Sequence, residues 1–144
     1  MALVRIERSS RLPVGEAWRR LTDWGRHAQR VPFTGITVTT PPPTGVGTLF
    51  VARTGLGRVY FDDPMEVVHW QPPAADRAGH CRLEKQGSAV AGWAEIEARP
   101  QGAGSSVVWC EEIWLRKLPR AVDPLTFLGA RLLFGRVVTG LLNG

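Results

Sequence analysis

Thiols are scarce in this chain: Cys81 and Cys110 are the only cysteines among 144 residues. Two thiols make no disulfide framework, so the fold has to stand on a hydrophobic core. Lysine is nearly absent as well. Of the 18 basic residues only Lys85 and Lys117 are lysines, which leaves 16 arginines. The formal net charge of +5 raises the question of a nucleic-acid partner. The arginines are scattered, with no basic run longer than a pair such as Arg19-Arg20, and an electrostatic footprint needs clustered charge. With many Ala, Gly and Pro beside them, they fit a GC-rich coding bias better than a binding face, and no nucleic-acid partner is expected. Metal-ligand spacing is missing too: His27, His69 and His80 stand far apart, so no metal is expected. Gly55-x-Gly57 has no strand-to-helix context, so it is not a phosphate loop and no cofactor is expected. The opening residues carry charge, at Arg5 and Glu7, too early for a secretory signal. A reduced, cytoplasmic setting is the expectation.

What the sequence does hold is a run of short alternating segments closed by one long apolar stretch. Residues 2–9 alternate as a strand with one buried face. Pro13 suits the first position of a helix, and Val14, Ala17, Trp18 and Leu21 follow at amphipathic spacing. Asp23 is placed to cap a second short helix from about Trp24 to Val31, ended by Pro32. Strands are then expected at Ile36–Thr40, Thr48–Thr54, Arg58–Phe61, Pro64–Trp70, His80–Lys85, Val90–Arg99 and Ser106–Leu115, separated by Pro- and Gly-rich turns. Asp62-Asp63-Pro64 reads as one of those turns. Leu118-Pro119-Arg120 leads into a final helix from Asp123 to Leu142, where only Arg131 and Arg136 carry charge. Two arginines and three glycines make this a poor membrane span, so no span is expected.

Short connections between strands imply antiparallel neighbours, and such a sheet buries one face. The last helix is the only long element able to cover that face. The expected architecture is α+β: one domain over residues 1–144, a curved antiparallel sheet of about seven strands gripping the C-terminal helix, with two short helices after the first strand.

Here the residues resemble a known group. The first strand running into Pro13, Trp18-x-x-Leu21-x-Asp23-Trp24, the strand-ending Trp70-Gln71-Pro72-Pro73 and the terminal helix, in that order, resemble the START-related SRPBCC superfamily. Within it the chain is similar to the polyketide cyclase/dehydrase-like proteins. The resemblance spans essentially the whole chain. It implies a helix-grip fold with a deep apolar cavity between sheet and last helix. Members bind lipids, sterols, quinones or polyketides, and some are cyclases or dehydratases. Their catalytic residues differ, so none is carried over by motif.

The residues themselves offer a few candidates. Glu111 and Glu112 are adjacent on a strand, so alternation sends one inward. Val107, Trp109, Glu111, Ile113 and Leu115 form the more apolar set, which places Glu111 in the cavity beside Trp109. A one-residue slip would reverse this. A carboxylate in an apolar cavity has a raised pKa unless it is paired, and could serve as general acid or base. The other readings of Glu111 are a structural ion pair or plain solvent exposure. Arg53, alone on the strand Leu49–Arg53, is a candidate partner for it, and His69 a candidate proton shuttle. The expected cavity wall is Phe50, Ile96 and Trp109 with Leu128, Leu132 and Val138 from the helix. Gly129, Gly135 and Gly140 each lower helix propensity by about 1 kcal/mol relative to Ala, and make room for a ligand. The expected function is binding of a hydrophobic small molecule (lipid, quinone or polyketide-like), by a monomer or homodimer. The alternatives are an aromatase/cyclase or dehydratase using a cavity acid or base, and a protein-interaction module using the helix face.

Overall fold

Hairpin connections bring successive strands side by side, and the register between them decides which residues meet the core. The structure, a computed structural model, describes residues 2–88, 90–115 and 123–143. Its elements run β1 (Ala2–Ser10), α1 (Val14–Leu21), α2 (Trp24–Ala28), β2 (Thr34–Val38), β3 (Leu49–Leu56), β4 (Val59–Gln71), β5 (Gly79–Lys85), β6 (Val90–Gln101), β7 (Gly104–Leu115) and α3 (Asp123–Asn143). The seven strands form one antiparallel sheet in the order β1-β7-β6-β5-β4-β3-β2. Strands β2 to β7 follow chain order, and β1 closes onto β7.

The core is the inward face of this sheet. Alternation sends Val4 and Ile6 of β1, Cys81 and Leu83 of β5, Ala94, Ile96 and Ala98 of β6, and Val107, Trp109 and Ile113 of β7 to that side, all of them buried. Helix α1 adds Ala17, Trp18 and Leu21, and α3 adds Val137, Val138, Leu141 and Leu142 from its C-terminal half. Burying one such large side chain contributes about 1.5–3 kcal/mol. Trp24 stacks on Phe50 with centroids 4.7 Å apart, which ties α2 to the sheet. Among the described residues, no helix is long and apolar enough to cross a membrane.

Three boundaries differ from expectation. Arg58–Phe61 and Pro64–Trp70 are one 13-residue strand, β4, and Asp62-Asp63-Pro64 is its middle rather than a turn. Pro64 is tolerated there because its carbonyl accepts from Gln86 N at 2.8 Å, just past the end of β5. Its missing N–H therefore points where no strand is left to pair. Helix α2 stops at Ala28, and β2 starts at Thr34, two residues early. Cys81 and Cys110 lie on β5 and β7 with β6 between them, and both are free. The lead-in Leu118-Pro119-Arg120 and the side chains of Leu125 and Phe127 lie outside the described residues.

Candidate functional site

The sheet and the N-terminal half of α3 do not close fully on one another. Between them lies a cavity of about 320 Å³. Trp24, Phe50, Leu83, Trp109 and Ile113 wall it from α2 and the sheet, and Gly129, Leu133, Phe134 and Val137 from α3. Phe134 stacks over Trp109 with centroids 6.0 Å apart. The wall is apolar apart from a few groups, and three of those are charged: Asp63, Lys85 and Glu111.

These three form one cluster. Lys85 Nζ lies 2.7 Å from Asp63 Oδ2 and 3.3 Å from Glu111 Oε1. Trp109 Nε1 donates to Glu111 Oε2 at 3.3 Å. The Lys85 and Glu111 side chains are 4% and 3% exposed, which makes this an ion cluster out of bulk water. The sheet explains the reach. Lys85 continues the inward phase of Cys81 and Leu83, and Glu111 lies on β7, with β6 between. Two strand spacings are roughly 9.6 Å, and a lysine stem bridges them only over small neighbours. Ala94 pairs with Glu111 and Gly92 with Ile113, so β6 leaves the path open. At Gly92 the backbone has φ of 129°, and any Cβ would collide with the Glu112 carbonyl.

The electrostatics are unequal. Burial pulls the Lys85 ammonium down, but Glu111 and Asp63 outweigh it and hold the group above the ordinary lysine value. Burial pushes the Glu111 carboxyl up, and Lys85 and the Trp109 bond offset only part of that. Asp63 Oδ1 is buried without a hydrogen-bond partner among the described residues, and so is Trp24 Nε1. His27 also reaches the wall. Its Nε2 lies 2.7 Å from the Leu21 carbonyl. A carbonyl only accepts, so Nε2 carries the proton and Nδ1 is left as an acceptor. Burial lowers the His27 pKa, which favours this neutral form.

Of the residues singled out from sequence, the structure brings Phe50, Trp109 and Glu111 together in the wall. Glu112 faces the other way and accepts from Trp93 Nε1 at 3.2 Å. Arg53 is not beside Glu111. It lies on the outer face of β3, paired with Asp62 through Nε–Oδ1 at 2.7 Å and Nη2–Oδ2 at 2.9 Å, while its neighbours Ala52 and Thr54 face the cavity. His69 is exposed, with its ring tilted against His80 at 4.9 Å between centroids, because a bulge between Val67 and His69 turns it outward. Ile96 and Val138 are fully buried, in the core rather than on the cavity wall. Leu128 and Leu132 are exposed; the cavity face of α3 is one residue on, at Gly129, Leu133 and Val137. Of the three helix glycines, Gly129 borders the cavity, while Gly135 lies near Arg8 and Gly140 near Arg30. Sequence reasoning missed Asp63, Lys85 and His27. The signal for Lys85 was its inward phase after Cys81 and Leu83. Among the described residues, no group of three His, Cys, Asp or Glu side chains is placed to hold a metal.

No protein-family model matches the sequence, and no curated protein matches it. Solved structures do. TTHA0849 from Thermus thermophilus aligns over 98% of this chain and 94% of its own, with a TM-score of 0.77 and 16% identity. A STAR-related lipid transfer protein fragment from Xanthomonas axonopodis aligns over 95% of this chain and 84% of its own, at TM-score 0.68 and 13% identity. The Zhui aromatase/cyclase from Streptomyces sp. R1128 aligns over 98% and 93%, at TM-score 0.66 and 15% identity. The fold is therefore the helix grip that these structures share. At such identities the likeness speaks for the fold alone.

Proposed function

We propose that the chain binds a hydrophobic small molecule in the cavity between sheet and α3. One observation carries the reading: a 320 Å³ cavity walled mostly by apolar and aromatic side chains, with its few charged groups gathered in one cluster. That is the usual form of a small-molecule site, in which apolar area supplies affinity and a few polar groups fix orientation. The lipid transfer protein and the aromatase/cyclase with the same architecture support a ligand of lipid or polyketide type, and a quinone is of the same apolar class. The setting we propose is the reduced cytoplasm, with the chain a monomer or homodimer.

The direct test is uptake of an apolar two-ring dye such as prodan, with native mass spectrometry of the freshly purified protein. Wild type should take up one dye per chain. Ala94→Trp, which fills the cavity from β6, should lose uptake while its circular dichroism stays native. Equal uptake by the filled variant would place the dye elsewhere and end this reading.

The Glu111 position favours a second reading, an aromatase/cyclase or dehydratase. A buried carboxyl with a raised pKa beside an ammonium suits proton transfer to and from a bound carbonyl or hydroxyl carbon skeleton. There Glu111→Gln should abolish turnover and leave ligand binding in place.

A further inference from the structure

Building on the proposed cavity binding, we infer that the ligand is a neutral molecule of about two fused rings, or equal bulk, whose single hydroxyl sits between Lys85 and Asp63. Size sets the first half. An apolar cavity of about 150 Å³ takes one benzene ring, and this one is about 320 Å³. About two rings fill that volume.

The unused hydrogen-bonding capacity of the cluster sets the second half. An ammonium has three donors. Lys85 directs one to Asp63 and one to Glu111; its remaining contact is the Met65 thioether at 3.8 Å, a weak acceptor. Asp63 Oδ1 has no partner among the described residues. The cluster therefore has one donor and one acceptor to spare, on side chains that belong to the cavity wall. Most other polar wall groups are already engaged. Thr34 and Thr54 bond each other at 2.8 Å, Trp109 Nε1 is spent on Glu111, and His27 Nε2 on Leu21. Trp24 Nε1 is a further unpaired donor and His27 Nδ1 a further acceptor, but both lie on α2 and are uncharged, so a bond to them gains less than one to the Lys85–Asp63 pair.

A hydroxyl is the simplest group that both donates and accepts, so it completes both vacancies in hydrogen bonding at once. A ketone or ether satisfies Lys85 and leaves Asp63 unpaired. A carboxylate would bring a third acid to a site with one cation, away from water. A ligand amine would face Lys85. Lys85 is already shared between Asp63 and Glu111, and a neutral ligand adds no further buried charge to that cluster.

The test compares naphthalene with its hydroxyl, methoxy and carboxylate derivatives, substituted at the same carbon, by displacement of bound dye at neutral pH. The hydroxyl compound should bind about tenfold more tightly than the methoxy compound, the gain from one well-made hydrogen bond to a charged group. The carboxylate should bind most weakly. Asp63→Asn and Lys85→Met should each bind the hydroxyl and methoxy compounds within about threefold of one another; if Lys85→Met does not fold, the near-isosteric Asp63→Asn decides alone. Equal binding of hydroxyl and methoxy compounds, or tighter binding of the carboxylate, overturns the inference and leaves cavity binding standing. Failure of all four compounds together with failure of dye uptake overturns both.

Discussion

Asp62 and Asp63 follow one another on β4, and each holds one cation at 2.7 Å: Arg53 for Asp62, Lys85 for Asp63. Period-two alternation puts them on opposite faces of the sheet. The outer pair is 56% and 38% exposed, the inner pair 4% and 14%. The shortest contact is equal in length and the surroundings are not. Water and salt screen the outer pair, so losing either partner leaves a solvated charge. The inner pair has given up its hydration, so losing Lys85 strands Asp63 and Glu111 in an apolar cavity. Distance alone therefore says little about what an ion pair does, and the cavity around the inner pair gives it its role.

The largest expected effect tests that difference directly. Lys85→Met should destabilise the fold by about 3–5 kcal/mol, as expected when one member of a buried ion cluster is removed. Urea denaturation measures it. Adding Asp63→Asn and Glu111→Gln to the same chain should restore most of the loss, since no buried charge is then left unpaired. A triple variant as unstable as Lys85→Met alone would show that packing of the lysine stem, not charge, holds this corner together.

Titration gives an intermediate effect of two opposite signs inside the cavity. Glu111 has a raised pKa in the folded chain, so its contribution is fully present below the ordinary glutamate value and is lost as pH rises through the folded value. His27 has a lowered pKa, so its contribution is present above the ordinary histidine value and is lost as pH falls through the folded value. A tenfold difference in proton affinity between the folded and unfolded chain corresponds to about 1.4 kcal/mol. Melting curves from pH 4 to pH 8 should show Glu111→Gln gaining on wild type as pH rises through the Glu111 window. His27→Gln should gain on wild type as pH falls below the ordinary histidine value. Difference curves that are flat with pH would mean that neither group is desolvated as its position indicates.

Much of this contrast was legible beforehand, and the rest was hidden for physical reasons. Antiparallel neighbours joined by short turns are local, so the strand order could be read from the turns. The alternation of Val107, Trp109, Glu111 and Ile113 against Glu112 and Trp114 likewise placed Glu111 on the inner face. Asp62-Asp63-Pro64 misled because all three residues are of turn-forming types. What allows the strand to continue is the end of β5 opposite Pro64, a tertiary fact. Arg53 stands as the lone charge on its own strand in the sequence, and its actual partner Asp62 lies on β4, in the stretch that reads as a turn. Helix α3 is apolar on nearly every side, so no stripe fixes its rotation, and the wall residues predicted for it came out of phase. The bulge that turns His69 outward has no signature in the residues around it.

The smallest expected effect belongs to the outer pair, and it is the control for the rest. Arg53→Ala removes a bidentate contact to Asp62 and a guanidinium lying 4.0 Å from the centre of the Tyr60 ring. Both contacts are in water, and ordering a long side chain offsets most of their attraction. The melting temperature should stay within the scatter of repeated measurements at physiological salt, and dye uptake should not change, because Arg53 is not part of the cavity wall. Raising the salt concentration should shrink even that residual difference. It should leave the Lys85→Met loss in place, because the inner cluster is out of reach of mobile ions. A salt series on the two variants therefore separates the faces of β4. If Arg53→Ala costs as much as Lys85→Met, or if salt screens both alike, burial does not distinguish the two pairs and the cavity cluster has no special standing.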